Sequence, residues 1–284
     1  MSRVLIAGCG YVGSALAERL VVDTHRVWGL RRRPVAMPLG VQPIVADLSD
    51  SRTLKELPDG LDSVIYSVSP GGADDPHYRA ACVIGVQELL EALARGRQRL
   101  ERFILVSSTS VYGQSGGDWV DETSATEPTG FSGRRLLEGE RLLLSSGVPA
   151  SVVRFGGIYG PQRSRLVESV RTGRASYRTR PVQWTNRIHR DDCAGVLRHL
   201  MGLESPEEIY LGVDSEPETE QAVMTWIAGA LGSPPPRRAE REPRDTRRSR
   251  SNKRIRNQRL LDSGYEFRYP SYREGYTAVL AELL

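Results

Sequence analysis

Lysine is nearly missing from this chain. Of 39 basic residues in 284, only Lys55 and Lys253 are lysines, and the rest are arginines. Any chemistry that needs an amine therefore has two candidates. Cysteine is also scarce. Cys9, Cys82 and Cys193 are an odd count without metal-ligand spacing, which argues against a disulfide framework and points to reduced thiols in a cytoplasm. Four scattered histidines form no zinc pattern, so no metal is expected. No apolar run approaches the roughly 20 residues of a membrane helix, so no membrane partner is expected. The N-terminus has the outline of an export leader: Arg3, an apolar stretch, then "ALA". Gly8, Gly10 and Gly13 interrupt that stretch, and a strand–turn–helix fits the same residues better.

With 39% hydrophobic residues, the chain can bury a large core, as one α/β domain or as a domain with a smaller lobe. Val4 to Ala7 reads as a buried strand, and Ser14 to Leu20 has helical spacing. Further strands are expected at His25–Leu30, Pro43–Leu48, Ser63–Val68, Arg102–Ser108 and from Ala150. Helices are expected at Tyr78–Ala94 and Leu136–Leu144. Strands alternating with helices predict a doubly wound parallel sheet. Beyond Pro161 the pattern loosens. A helix from about Arg190 to Met201, a strand at "EIYLGV" and a helix from about Glu218 to Leu231 suggest a lobe of short elements. The proline- and arginine-rich stretch from Ser233 reads as an exposed loop.

The first strand runs into "GCGYVG", a GxGxxG turn that opens a helix. Glycines permit the tight turn and close backbone approach, and the helix N-terminus offers N–H groups and a positive dipole end to a pyrophosphate. Gly8, Cys9, Gly10, Tyr11, Val12 and Gly13 are thus candidate cofactor-binding residues, with Ser67 after the fourth strand and Asp47 and Leu48 after the third. At the end of the second strand an acid would receive the ribose hydroxyls of NAD. This chain has "RRRP", and Arg31 and Arg32 suit the 2′-phosphate of NADP instead. NADP is the expected cofactor and NAD the less favoured one.

"GCGYVG", "RFILVSSTSVYG", "VVRFGGIYGP", "NRIHRDDCAGVL" and "NKRIRNQRLLDSGYEFRYPSYREGY" follow in order across nearly the whole chain. Together they resemble the extended short-chain dehydrogenase/reductases, and an atypical branch of NAD(P)-dependent epimerase/dehydratase-like proteins in particular. The resemblance implies a Rossmann-like α/β fold with a small C-terminal substrate lobe. The cofactor domain would span residues 1–160 and the lobe mainly 161–284, with room for some of its segments to return to the first sheet. It also implies a substrate-orienting serine, which maps onto Ser108, and a Tyr-x-x-x-Lys dyad. The dyad is absent. Aligning Pro128 and Glu140 with the family spacing puts Ser132 at the tyrosine and Leu136 at the lysine; a shift of one puts Phe131 and Arg135 there. No tyrosine lies between Tyr112 and Tyr159, and no lysine between Lys55 and Lys253. The proton would have to come from Tyr112, from Tyr159 or from a water held by Ser108 and Ser132. Arg134 or Arg135 offers positive charge for the nicotinamide ribose, although an exposed helix face is the simpler reading of either.

Asp191 or Asp192 suits a helix N-terminus, and His189 reads as structural rather than catalytic. Arg163 and Tyr159 are the candidate substrate-binding residues. The expected partner is a small polar substrate, nucleotide sugar or phosphorylated molecule, held between the lobes, and a homodimer stays open. The expected function is an NADP-dependent oxidoreductase or epimerase; the alternative is an inactive NADP-sensing regulator. Eleven Arg/Lys against three acids between Arg237 and Arg259 leave nucleic acid as a third, disfavoured partner.

Overall fold

The computed structural model describes residues 1–179, 181–239 and 251–283. The chain divides into two compact units, Met1–Val111 with Pro128–Arg154 and Ala194–Tyr210, and Tyr112–Glu127 with Phe155–Cys193 and Leu211–Leu284. The two units are interleaved along the chain. Of the arginine-rich stretch expected as an exposed loop, residues 240–250 lie outside the described residues; on either side of them that expectation is corrected, because Arg237–Arg238 and Lys253–Ile255 pair as short strands with Ser176–Tyr177 and Asp118–Val120, and Lys253 and Ile255 are buried.

The first unit is built on a parallel sheet. Its strands are β1 (Arg3–Ala7), β2 (Arg26–Arg31), β3 (Gln42–Val45), β4 (Ser63–Tyr66) and β5 (Arg102–Ser108). After the short β6 (Asp118–Val120) in the second unit come β7 (Ala150–Phe155) and, much later, β12 (Ile209–Gly212). The order is β12-β7-β5-β4-β1-β2-β3. The strand expected at "EIYLGV" therefore joins this sheet as its seventh member. The chain moves outward from β1 to β3 and then returns to the other side of β1 as β4, and the described pairings of β1, β2, β4 and β5 are parallel. That reversal opens a crevice beyond the carboxyl ends of β1 and β4, where doubly wound sheets bind ligands.

Four helices accompany these strands: α1 (Tyr11–Val22), α2 (Asp75–Arg79), α3 (Gly85–Arg95) and α4 (Phe131–Leu144). Residues 80–84 continue α2 into α3 with one wide turn. Asp74 caps α2, its side chain accepting from the His77 N–H at 3.0 Å, and Pro76 sits in the first turn, where it costs no hydrogen bond. One core packs Leu5, Leu30, Val64, Tyr66, Val86, Leu89, Phe103 and Val152 together.

The second unit uses short pieces. Its strands are β6, β8 (Gly157–Tyr159), β9 (Ser176–Tyr177), β10 (Trp184–Thr185), β11 (Arg187–His189), β13 (Glu218–Thr219), β14 (Arg237–Arg238) and β15 (Lys253–Ile255). Its helices are α5 (Arg165–Arg171), α7 (Glu220–Ala230), α8 (Gln258–Asp262) and α9 (Tyr272–Ala281), while α6 (Arg190–Gly202) carries the chain back into the first unit. β8 pairs with β11, and β15 with β6. Its core joins Tyr159, Val167, Val223, Ile227, Tyr272 and Tyr276. No helix among the described residues is long and apolar enough to cross a membrane.

Candidate functional site

The glycine turn sits at the head of α1. Gly8 has φ +84°, and a Cβ there would lie 2.6 Å from the Ser67 carbonyl oxygen at the end of β4. A Cβ at Gly13 would come within 2.8 Å of the Gly8 carbonyl oxygen. These two glycines let the turn fold against β4 and α1 close on the turn. Gly10 differs. Apart from its chain neighbours, the nearest atom to a Cβ there is the Gly8 carbonyl oxygen, at 3.8 Å. No side chain caps α1, whose N-cap is Gly10. An open backbone surface in front of an uncapped 12-residue helix fits a pyrophosphate, whose charge the first-turn N–H groups and the helix dipole would meet. Gly8, Cys9, Gly10, Tyr11, Val12, Gly13 and Ser67 are thus brought together in one crevice wall. Cys9 is fully buried, and burial raises its thiol above the ordinary value.

Arg31, the last residue of β2, folds back onto this turn. Its Nε donates to the Cys9 carbonyl, and Nη2 donates to Ser14 Oγ at 2.9 Å. Part of its donor set therefore braces the loop itself. Arg32 is exposed, and its guanidinium lies beside Gly71. Asp47 accepts from the Ser49 N–H at 2.9 Å and from Ser49 Oγ at 2.7 Å, and these bonds, the side-chain one foremost, hold its carboxyl below the usual range. The Leu48 side chain is buried in the core of the first unit.

The serine segment follows β5. Ser108 is half-buried, and its Oγ accepts the Ser110 N–H at 3.2 Å, which leaves its own proton available to donate. Ser132 lies in the first turn of α4, 9% exposed. Gly133 lets that turn rest on the Ser110 carbonyl, so the Ser132 and Ser110 backbones come close. Behind them, Ser107 Oγ donates to Glu140, and Arg154 Nη2 donates to Glu140 Oε2 at 2.7 Å. Both ion-pair partners are at most 4% exposed. This pair fixes β5, α4 and β7 to one another. Glu140 was legible as the end of a spacing pattern; Arg154 carried no signal beyond being a charge in an apolar strand.

Arg135, the alternative for the lysine position, is occupied elsewhere. Its Nε and Nη2 donate to Asp75 at 2.9 and 3.0 Å, and Nη1 donates to Glu138 at 2.8 Å. Tyr112 is 1% exposed. Tyr159 is 5% exposed, stacks on Tyr276 with centroids 4.3 Å apart, and has no hydrogen-bond partner for its hydroxyl among the described residues. Burial, reinforced by Asp214, raises its pKa. A raised pKa makes a poor proton donor, so Tyr159 does not suit the role of the acid. Arg163 is exposed. His189 is buried against Tyr159 and Tyr269, and its Nδ1 accepts the Asp191 N–H at 3.2 Å. Asp192, fully buried, accepts from Tyr265 Oη at 2.9 Å, Arg268 N at 2.8 Å and Tyr269 N at 3.0 Å. Among the described residues, no three histidines, cysteines or carboxylates stand together as a metal site.

Residues 4–189 match the NAD dependent epimerase/dehydratase family. The chain belongs to that family. Its Rossmann-like fold is of the NAD(P)-binding, short-chain dehydrogenase/reductase type. The structure of a Methylobacillus flagellatus protein described as a candidate NAD-dependent epimerase/dehydratase is 36% identical, covering 99% of this chain and 98% of that one with a TM-score of 0.81. Protein YeeZ of Escherichia coli strain K12 is 29% identical over 288 residues, 95% of this chain and 97% of the relative. A Streptomyces 3-diazoavenalumate denitrifying reductase is 27% identical over 258 residues, 83% of each chain.

Proposed function

We propose that the protein uses NADP to oxidise, reduce or epimerise a small polar substrate, with Ser108 as the group that orients it. The observation that carries the cofactor preference is the end of β2. Residues 31–33 are three arginines, with no carboxylate to receive ribose hydroxyls. Arg31 braces the turn through two contacts and keeps further N–H donors, while Arg32 is exposed beside it. When bound, the dinucleotide supplies or receives the hydride. The Ser108 hydroxyl would donate to a substrate carbonyl or hydroxyl, and a water between Ser108 and Ser132 fits the proton route better than Tyr159 does. The reductase among the relatives supports redox chemistry for this chain as well. Substrates with phosphate or nucleotide-sugar groups would suit the exposed Arg163.

Calorimetric titration tests the cofactor. NADPH should bind at least tenfold more tightly than NADH. Arg32→Ala should cost about 1.5–3 kcal/mol, one charge-assisted contact, in NADPH binding alone, whereas Arg31→Ala, which also removes the brace on the turn, should weaken NADH binding as well. Equal affinities for the two cofactors would refute the preference. A second reading, an NADP-sensing regulator, is favoured by Ser132 and Leu136 at the dyad positions. Deuterated NADPH offered with a panel of carbonyl substrates separates the two. Label in a product supports the enzyme, and no transfer across the panel supports the regulator.

A further inference from the structure

Lys253 is the one lysine that lies inside. It is 3% exposed, on β15, whereas Lys55 is exposed. Its Nζ donates to the Tyr112 carbonyl at 2.8 Å and to Ser251 Oγ at 2.6 Å. Among the described residues no carboxylate pairs with it, and burial alone pulls its pKa down to about 8. Its surroundings are otherwise neutral: Asn252 donates to the Val182 carbonyl, and Asn186 donates to the Lys253 carbonyl. The charged neighbours point elsewhere. Asp118, opposite in the β6 register, is exposed with its carboxylate beside Gly116, and Arg254 stacks on Trp119 and Trp184.

The choice of lysine has a physical reason. In a chain that otherwise uses arginine almost throughout, a guanidinium here would bring five donors to a closed site with two acceptors. The unsatisfied donors would each carry a desolvation penalty. An amine fits two acceptors. Burying it with no counter-charge among the described residues is unfavourable, so the hydrogen bonds it makes have to offset that cost.

What it holds is the end of the serine turn. Thr109–Val111 is one 3-10 turn between Ser108 and Tyr112. Ser108 Oγ caps its start by accepting the Ser110 N–H, and Lys253 clamps its end at the Tyr112 carbonyl. We propose that Lys253, arriving from the far end of the chain, is a positioning residue that fixes the Ser108–Tyr112 turn and thereby the direction of the Ser108 hydroxyl. The role rests on reading Ser108 as the substrate-orienting group. The ammonium is the stronger donor to the carbonyl, so deprotonation loosens the clamp.

Lysine scarcity makes the test clean. The full-length protein grown with 15N-lysine has two side-chain amines, and Lys55 is the exposed reference. Lys253 should titrate with a midpoint near 8, below its ordinary value of 10.5, and in a uniformly 15N-labelled sample the Ser110 amide signal should shift with the same midpoint. A Lys253 signal that titrates at its ordinary value of 10.5, or a Ser110 amide that ignores its titration, overturns the proposal. This arm needs no substrate and no variant. In the enzyme assay, Lys253→Met should leave NADPH affinity within about threefold. It should lower label transfer at least tenfold and abolish the fall in activity above pH 8, and Lys253→Arg should not rescue it. Parent-like turnover and pH profile in Lys253→Met also overturn it. Absence of transfer in the parent as well strikes the proposed function instead, and the nuclear magnetic resonance arm then decides the clamp alone.

Discussion

Gly10→Ala separates binding from folding. A methyl group at Gly10 meets nothing of its own protein nearer than 3.8 Å, leaving out its chain neighbours. The cost to the fold should be that of a weaker helix N-cap, about 1 kcal/mol, or a melting shift of about 2–4 °C. The cofactor fares differently. The same methyl occupies the surface where a pyrophosphate must approach the first-turn N–H groups of α1. Losing two charge-assisted hydrogen bonds at about 1.5–3 kcal/mol each removes about 3–6 kcal/mol. At 1.4 kcal/mol per tenfold, that is a loss of about 10²–10⁴ in affinity. Gly8→Ala is the counterpart, because φ is +84° and the Ser67 carbonyl oxygen would be 2.6 Å away. It should lower the melting temperature by more than Gly10→Ala does. The assay is NADPH titration by calorimetry beside thermal unfolding of the same samples. Gly10→Ala binding NADPH within threefold of the parent would refute the assignment of that surface, and so would a melting loss equal to that of Gly8→Ala.

Three other outcomes follow from the buried and exposed charges. Glu140→Gln or Arg154→Met leaves a buried partner uncompensated and should cost about 3–5 kcal/mol in urea unfolding. Glu140→Leu with Arg154→Met should recover most of it, and single-variant losses under about 1 kcal/mol would mean the pair is solvated. Arg135→Ala removes a partly exposed pair with Asp75 and should cost at most about 1 kcal/mol without changing NADPH affinity; a tenfold loss of affinity would restore it to the nicotinamide ribose. Asp214 is 2% exposed, and burial raises its carboxyl from 3.8 to about 8. Between those values the folded protein keeps a proton that the unfolded chain releases. Stability from this group is therefore full below about pH 4 and falls as pH rises to about 8, by up to about 1.4 kcal/mol per pH unit. Asp214→Asn should flatten that fall, and parallel urea midpoints for parent and variant at pH 5, 6.5 and 8 would contradict it.

The strand–turn–helix at the N-terminus was fully legible because the glycines and the apolar run each specify local backbone. Elsewhere, polar or glycine residues hid helix starts. Asp74 and Pro76 open the α2–α3 segment three residues before Tyr78, and "GFSG" begins α4 five residues before Leu136. "EIYLGV" was recognisable as a strand, but its neighbour was not, since period and propensity name no partner across the sequence. The two- and three-residue strands of the second unit are too short and too polar to show a period. In the candidate site, the place of the glycine turn before α1 and of Ser108 at the end of β5 was readable. The Arg154–Glu140 pair and the Lys253 clamp were not, because each joins residues whose proximity is made by the fold. The rarity of lysine was the one hint that Lys253 mattered.

The chain passes from one unit to the other five times, at residues 111/112, 127/128, 154/155, 193/194 and 210/211. Neither half can therefore be obtained by a single cut. A fragment stopped near residue 160 would keep the glycine turn but forfeit β12, baring the outer rim of β7 to any strand that meets it, including the same rim on another copy. A fragment that keeps the whole sheet therefore has to reach past Gly212, the last residue of β12.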